Sequence, residues 1–101
     1  VRHNKILEKV QLSDIQYMEG MQNYVQLYTT TRKLIVHLTF KSLEQSLPAQ
    51  QYIRCHKSYI INLNHVQALS CKKVIVGGTY LPVGRSQRQA LMEHIGSKLL
   101  S

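Results

Sequence analysis

The stretch YIRCHKSYIIN, Tyr52–Asn62, sets Arg54, His56 and Lys57 inside an otherwise apolar segment. From Tyr52 to His56 apolar and polar residues alternate with the period of a strand. That period turns Ile53 and Cys55 inward and Tyr52, Arg54 and His56 outward. Basic residues on the outer side of such a strand either lie on a solvated face or are presented to a partner. The flanking sequence separates these two cases.

Immediately upstream the period is helical. Phe40, Leu43 and Leu47 fall on one side of a short amphipathic helix, with Thr39 as N-cap and Pro48 as its stop. Before it come short strands: Lys9–Leu12, a Ser13-Asp14 turn, Ile15–Glu19 broken by Gly20, Tyr24–Tyr28, a Thr29–Arg32 turn and Lys33–Leu38. Downstream, Val66–Ser70 and Val74–Val76 form a hairpin across Cys71-Lys72-Lys73. Gly77-Gly78-Thr79 is a second tight turn, and Tyr80–Val83 is the last strand. Ser86-Gln87-Arg88-Gln89 fits a capping box, followed by a buried stripe of Leu91, Ile95 and Leu99 that Gly96 weakens at its end. The expectation is a mainly β fold with two short helices, both too short for a conventional recognition helix, which disfavours a helix-turn-helix.

The chain has 101 residues, enough for one domain with one core, and 44% of them are hydrophobic, which disfavours disorder. No apolar run approaches the ~20 residues of a membrane span, and no signal peptide is visible. Without an initiator Met, the chain is expected to be a piece of something longer. Its two cysteines, Cys55 and Cys71, form no Cys-x-x-Cys pair and are expected to be reduced, cytosolic thiols.

Thirteen Lys and Arg against five Asp and Glu give a net charge of +8. The acids are Glu8, Asp14, Glu19, Glu44 and Glu93, so none falls between Glu44 and Glu93. Arg54, Lys57, Lys72, Lys73, Arg85 and Arg88 all lie in that acid-free segment. Such an imbalance produces a positive field that attracts polyanions.

Catalysis is not expected. Cys55 and His56 are strand neighbours, which alternation sends to opposite faces, so they make a poor nucleophile–base pair. The carboxylates are scattered, the five His lack metal-ligand spacing, and Gly77-Gly78 precedes no helix that would make it a phosphate loop. Three polar loops are better equipped. Gly20-Met21-Gln22-Asn23 offers two carboxamides that can pair with adenine. His56-Lys57-Ser58 offers two possible cations and a hydroxyl. Gly84-Arg85-Ser86 offers a guanidinium fork matched to guanine or phosphate, after a glycine suited to a tight turn. Arg88 stands with Arg85 on the polar side of the last helix.

Three segments, DIQYMEGMQNYVQLYT, LTFKSLEQSLPAQQYIRCHKSYIINLNHV and YLPVGRSQRQALMEHI, together resemble the LytTR DNA-binding domain, the output half of many bacterial response regulators. The resemblance covers about residues 9–99 of a single domain spanning 1–101. Its most specific part is a short helix ending in Leu-Pro, then an aromatic, Arg-x-His-Lys-Ser, an apolar run and Asn. It implies elongated antiparallel sheets stacked as a β-β-β sandwich, which insert loops into successive major grooves of double-stranded DNA, usually at paired direct repeats.

Carried onto this chain, the DNA-binding residues would be Gln22 and Asn23 in the first loop, His56, Lys57 and Ser58 in the second, and Arg85 in the third, with Arg88 beside it. Some relatives have His where this chain has Asn23. Arg54 has a surface ion-pair or phosphate role open to it as well as base reading. Asn62 is expected to fix the 56–58 turn by bonding backbone, Lys72 and Lys73 to be merely solvent-exposed, and Tyr24 and Tyr28 to serve sheet packing.

The resemblance further implies a cytoplasmic two-component regulator with an upstream receiver domain that supplies dimerisation. It implies no metal, no cofactor and no membrane. Two alternatives stand beside it: a single-stranded nucleic-acid module of the small β-barrel type, kept open by six Tyr, and a protein-interaction or membrane-associated regulatory domain without DNA affinity.

Overall fold

The computed structural model describes residues 2–3, 6–7 and 11–99. Its elements are β1 (Arg2–His3), β2 (Ile6–Leu7), β3 (Ile15–Gly20), β4 (Val25–Thr29), β5 (Lys33–Val36), α1 (Phe40–Gln45), β6 (Tyr52–His56), β7 (Tyr59–Asn62), β8 (Val66–Leu69), β9 (Lys73–Val76), β10 (Thr79–Pro82) and α2 (Arg88–Leu99). A five-stranded sheet has the order β5-β4-β3-β7-β6, a three-stranded sheet the order β10-β9-β8, and β1 pairs with β2. Every pairing is antiparallel. The molecule is elongated, 42 × 24 × 21 Å. This is the mainly β architecture with stacked sheets and two short helices that the sequence predicts.

The five-stranded sheet is covered on both sides. On one side Met18, Val25, Leu27, Tyr52 and Ile60 pack under α1 through Phe40, Leu43 and Leu47. On the other, Tyr17, Cys55 and Ile61 meet Val74, Val76 and Leu81 of the small sheet and Leu91 and Ile95 of α2. Double coverage explains why β7 shows no alternation: consecutive Ile60 and Ile61 are 1% and 0% exposed, one in each core. It also corrects the outward placement of Tyr52, which is buried under α1.

Local chemistry sets the boundaries. Thr39 caps α1, its Oγ1 accepting the Ser42 N–H at 3.0 Å. Gly77 and Gly78, at φ 55° and 83°, make the β9–β10 turn, a backbone geometry that L side chains rarely adopt. Gly20 is required by space: a Cβ there would lie 2.8 Å from the Phe40 ring.

Three further expectations need correction. Leu12 lies in a 3-10 turn, Leu12–Asp14, and not at the end of a strand; Lys9 and Val10 lie outside the described residues. The capping box does not form at Ser86, which sits in a turn; the first helical bond of α2 runs from the Leu91 N–H to the Gln87 carbonyl. Leu91 and Ile95 are buried as expected, whereas the side chain of Leu99 is outside the described part.

The third correction concerns β6. Arg54 pairs with Ile60 and His56 with Tyr59, so Cys55 is the extra residue of a bulge. Arg54 stays over α1, while His56 packs against Tyr59, which lies on the other core with Cys55. The bulge therefore separates two basic side chains that strict alternation would put on one face. It also overturns the opposite-face argument for Cys55 and His56.

Candidate nucleic-acid interface

Strands β3, β6 and β10 all run toward the same end of the molecule, and backbone hydrogen bonds join the segments that follow them. The Gly20 N–H donates to the Ser58 carbonyl at 2.8 Å, tying the first loop to the second. The Gly84 N–H donates to the Cys55 carbonyl at 2.8 Å, tying the third loop to the second. The Val83 N–H donates to the Lys72 carbonyl at 2.9 Å, which brings the β8–β9 turn alongside the third loop. The three loops singled out from the sequence thus sit together, with the 56–58 turn between the other two.

Gln22 and Asn23 are exposed at the tip of the first loop, which the Met21 N–H closes onto the Tyr24 carbonyl at 2.8 Å. They line an open cleft of about 330 Å³ with Tyr24, His37, Leu38 and Phe40. In the second loop His56 is half-buried, its ring 5.8 Å from that of Tyr59, and its Nδ1 accepts the Ser58 N–H at 3.1 Å. Lys57 projects freely and Ser58 is half-buried. Arg85 and Ser86 are exposed; Gly84, half-buried, lies against the Cα of His56. Arg88 is half-buried, and its Nε has no hydrogen-bond partner.

Arg54 stands apart. Its guanidinium lies 4.7 Å from the Phe40 ring centroid and bonds Glu44 at 2.7 Å, so it fastens α1 to the sheet. Asn62 does bond backbone, but not at the 56–58 turn. Fully buried, it donates to the Ile15 carbonyl at 2.8 Å and accepts the Asn64 N–H at 2.9 Å, joining the start of β3 to the β7–β8 connection.

Two residues take places beside the loops that the sequence did not indicate, although Lys72 was among the cations of the acid-free segment. Lys72 is brought next to the third loop by the Val83 bond, and His37 reaches the first-loop cleft from the end of β5. Both placements come from pairing between distant segments, which no local pattern encodes.

The electrostatics of this end follow from where the carboxylates go. Glu19, below the loops, accepts hydrogen bonds from the Tyr28 and Tyr59 hydroxyls, each at 3.2 Å. Burial, reinforced by that carboxylate, pushes Tyr28 up to about 12 and raises Tyr59. Glu44 is held by Arg54. Asp14 lies at the opposite end, where its carbonyl accepts the Thr30 N–H. Lys57, Lys72, Lys73 and Arg85 are all exposed.

Other chemistries find little support. Burial pushes the Cys55 thiol up to about 12, so it stays protonated and makes a poor nucleophile beside His56. Among the described residues no group of three His, Cys, Asp or Glu could hold a metal, and no helix is long and apolar enough to cross a membrane. A stacking platform for single strands needs open ring faces, but Tyr17 and Tyr28 stack on each other at 4.3 Å and Tyr52 is buried; Tyr80, at 66% exposure, lies on the small sheet.

Comparison with known proteins bears on the fold and the family. The chain is 27% identical over 88 residues to the sensory transduction protein LytT of Bacillus anthracis, covering 81% of this chain and 36% of the relative. It is 30% identical over 87 residues to the CO-responsive transcriptional regulator RcoM of Rhodospirillum rubrum, covering 79% and 37%. It is 27% identical over 96 residues to the transcriptional regulatory protein BtsR of Escherichia coli, covering 86% and 38%. The chain therefore spans less than two fifths of the length of these relatives. A solved LytTr DNA-binding domain from Bacillus cereus has the same fold, with a TM-score of 0.76 at 24% identity over 86% of this chain and 85% of that one. The LytTr DNA-binding domain model matches residues 5–96, and the chain belongs to that family of DNA-binding domains.

Proposed function

We propose that this domain binds double-stranded DNA sequence-specifically through the three joined loops, placed in successive major grooves at paired direct repeats. The observation that carries this reading is the pair of backbone bonds, Gly20 to Ser58 and Gly84 to Cys55, that gathers all three polar loops at one end beside exposed cations. Base contacts specify and phosphate contacts position. The Gln22 and Asn23 carboxamides suit adenine, Arg85 suits guanine, and Lys57 and Lys72 suit phosphates. His56 and Ser58 complete the central turn, and Arg88 supports the third loop from the start of α2. Arg54 is assigned to holding α1.

In the whole protein, residues 9–99 serve as the output half of a cytoplasmic two-component transcription regulator. An upstream receiver domain supplies dimerisation, and binding uses no metal or cofactor. The experiment is selection of bound duplexes from a random pool, followed by titration of the enriched duplex and its separated strands. Enrichment of a repeated motif bound better as duplex supports the reading. Failure to enrich any sequence, or tighter binding of single strands, contradicts it.

A further inference from the structure

We propose that His56 is a tautomer-locked hydrogen-bond donor to a DNA acceptor, and that its protonation lowers sequence preference while leaving general attraction to DNA intact. The inference rests on the DNA-binding reading above and concerns what its central loop recognises.

The argument starts from one bond. His56 Nδ1 accepts the Ser58 N–H at 3.1 Å, two residues on. Asn and Asp make the same side-chain-to-backbone bond in Asx turns. A neutral imidazole has one donor and one acceptor nitrogen, so engaging Nδ1 as acceptor leaves the hydrogen on Nε2. Nε2–H complements guanine O6 or N7, adenine N7, thymine O4 or a phosphate oxygen, but not the amino groups of cytosine or adenine.

A second proton changes the bond's sign. Both ring nitrogens then donate, and Nδ1–H faces the Ser58 N–H, donor against donor. The turn that loses its lock is the one whose neighbours hold the other loops: the Ser58 carbonyl accepts from Gly20 and the Cys55 carbonyl from Gly84, each at 2.8 Å. The added charge meanwhile strengthens attraction to any polyanion. Specificity and general affinity therefore move in opposite directions on acidification.

Ionisable groups flank His56 on β7, β3 and the adjoining loops. Tyr59 lies at 5.8 Å from β7, with Glu19 of β3 bonded to its hydroxyl. Lys57 follows in the turn, Cys55 precedes it buried, and Arg85 follows Gly84, which lies against the His56 Cα. Glu19 lies within 3.2 Å of the Tyr28 and Tyr59 hydroxyls, while the hydrogen bond of the His56 ring is the one from the Ser58 N–H.

Two measurements on the intact chain test this. Imidazole nitrogen NMR of the free protein at pH 7.5, assigned by the signals lost in His56→Asn, should show Nδ1 unprotonated and Nε2 carrying the hydrogen. The reverse tautomer overturns the inference without any DNA present. Affinities for the enriched duplex and a scrambled one are then compared at pH 7.5 and 5.5, a window in which histidines take up protons. The parent's cognate-to-scrambled ratio should fall about tenfold, the worth of one hydrogen bond, while scrambled affinity holds or rises.

In His56→Asn the Oδ1 can still accept the Ser58 N–H but cannot titrate, so its ratio should start lower and stay constant with pH. A parent ratio that ignores pH, or one that falls equally in both proteins, overturns the inference and leaves DNA binding standing. Absence of duplex binding by the parent at pH 7.5 overturns both.

Discussion

Arg85 and Arg54 carry the same guanidinium to different ends. Arg85 projects beyond Gly84 into solvent, whereas Arg54 lies over Phe40 and bonds Glu44 at 2.7 Å. Replacing Arg85 with Ala should therefore cost ~1–3 kcal/mol of discrimination between cognate and scrambled duplex, the worth of a bidentate base contact. Circular dichroism should be unchanged; an unaltered ratio in a folded variant would remove Arg85 from base reading. Lys57→Ala should act differently, weakening cognate and scrambled duplexes by similar factors, because a phosphate contact positions without specifying. A selective loss at the cognate site would make Lys57 a base reader instead. The exposure of Arg85 and Lys57 was legible in the sequence, since both sit in polar turns flanked by apolar runs. For Arg54 an ion-pair role was legible but its partners were not, because they lie on a helix 10 and 14 positions away.

At the scale of elements, Asn62 shows how a polar side chain can organise two strands from within the core. Its Nδ2 holds the Ile15 carbonyl where β3 begins, and its Oδ1 holds the Asn64 N–H where β7 turns toward β8. Asn62→Ala removes the partner of the buried Ile15 carbonyl, which should cost ~1–3 kcal/mol, whereas the Asn64 N–H, on an exposed residue, can turn to water. Urea unfolding should show a lowered midpoint with unchanged slope; a variant as stable as the parent would mean that water replaces the side chain. The sequence marks Asn62 as a backbone-bonding residue but not which backbone it bonds, because Ile15 is 47 positions away. Period and capping located α1 through Thr39 and strands β4 and β6 closely. They missed β7 for a physical reason: a strand buried on both faces has no period to display. They likewise misplaced the start of α2, since Ser-x-x-Gln chemistry is present but the turn from Gly84 to Gln87 uses those residues first.

At the scale of the whole molecule, net charge matters less than its placement. Among the described carboxylates, Glu19 lies below the loops under tyrosine hydroxyls, Glu44 is paired with Arg54, Asp14 stands at the far end and Glu93 lies along α2 beside Gln89, so the three loops themselves carry cations and no acid. The acid-free segment was visible in the sequence, but not that Lys72 would be carried to the third loop while Arg54 was withdrawn. The central claim is that this end meets the phosphates of a duplex, and the dependence of affinity on salt tests it most directly. Lys57, Lys72, Lys73 and Arg85 are the four exposed cations of the segment. If four phosphates are neutralised, log affinity against log salt should have a slope of roughly −3.6, so a fourfold rise in salt should weaken binding about a hundredfold. Removing Lys72 should flatten the slope by ~0.9. A labelled enriched duplex titrated at several salt concentrations gives both numbers; a parent slope near zero would mean that the basic end never meets the phosphate backbone, and would contradict the account.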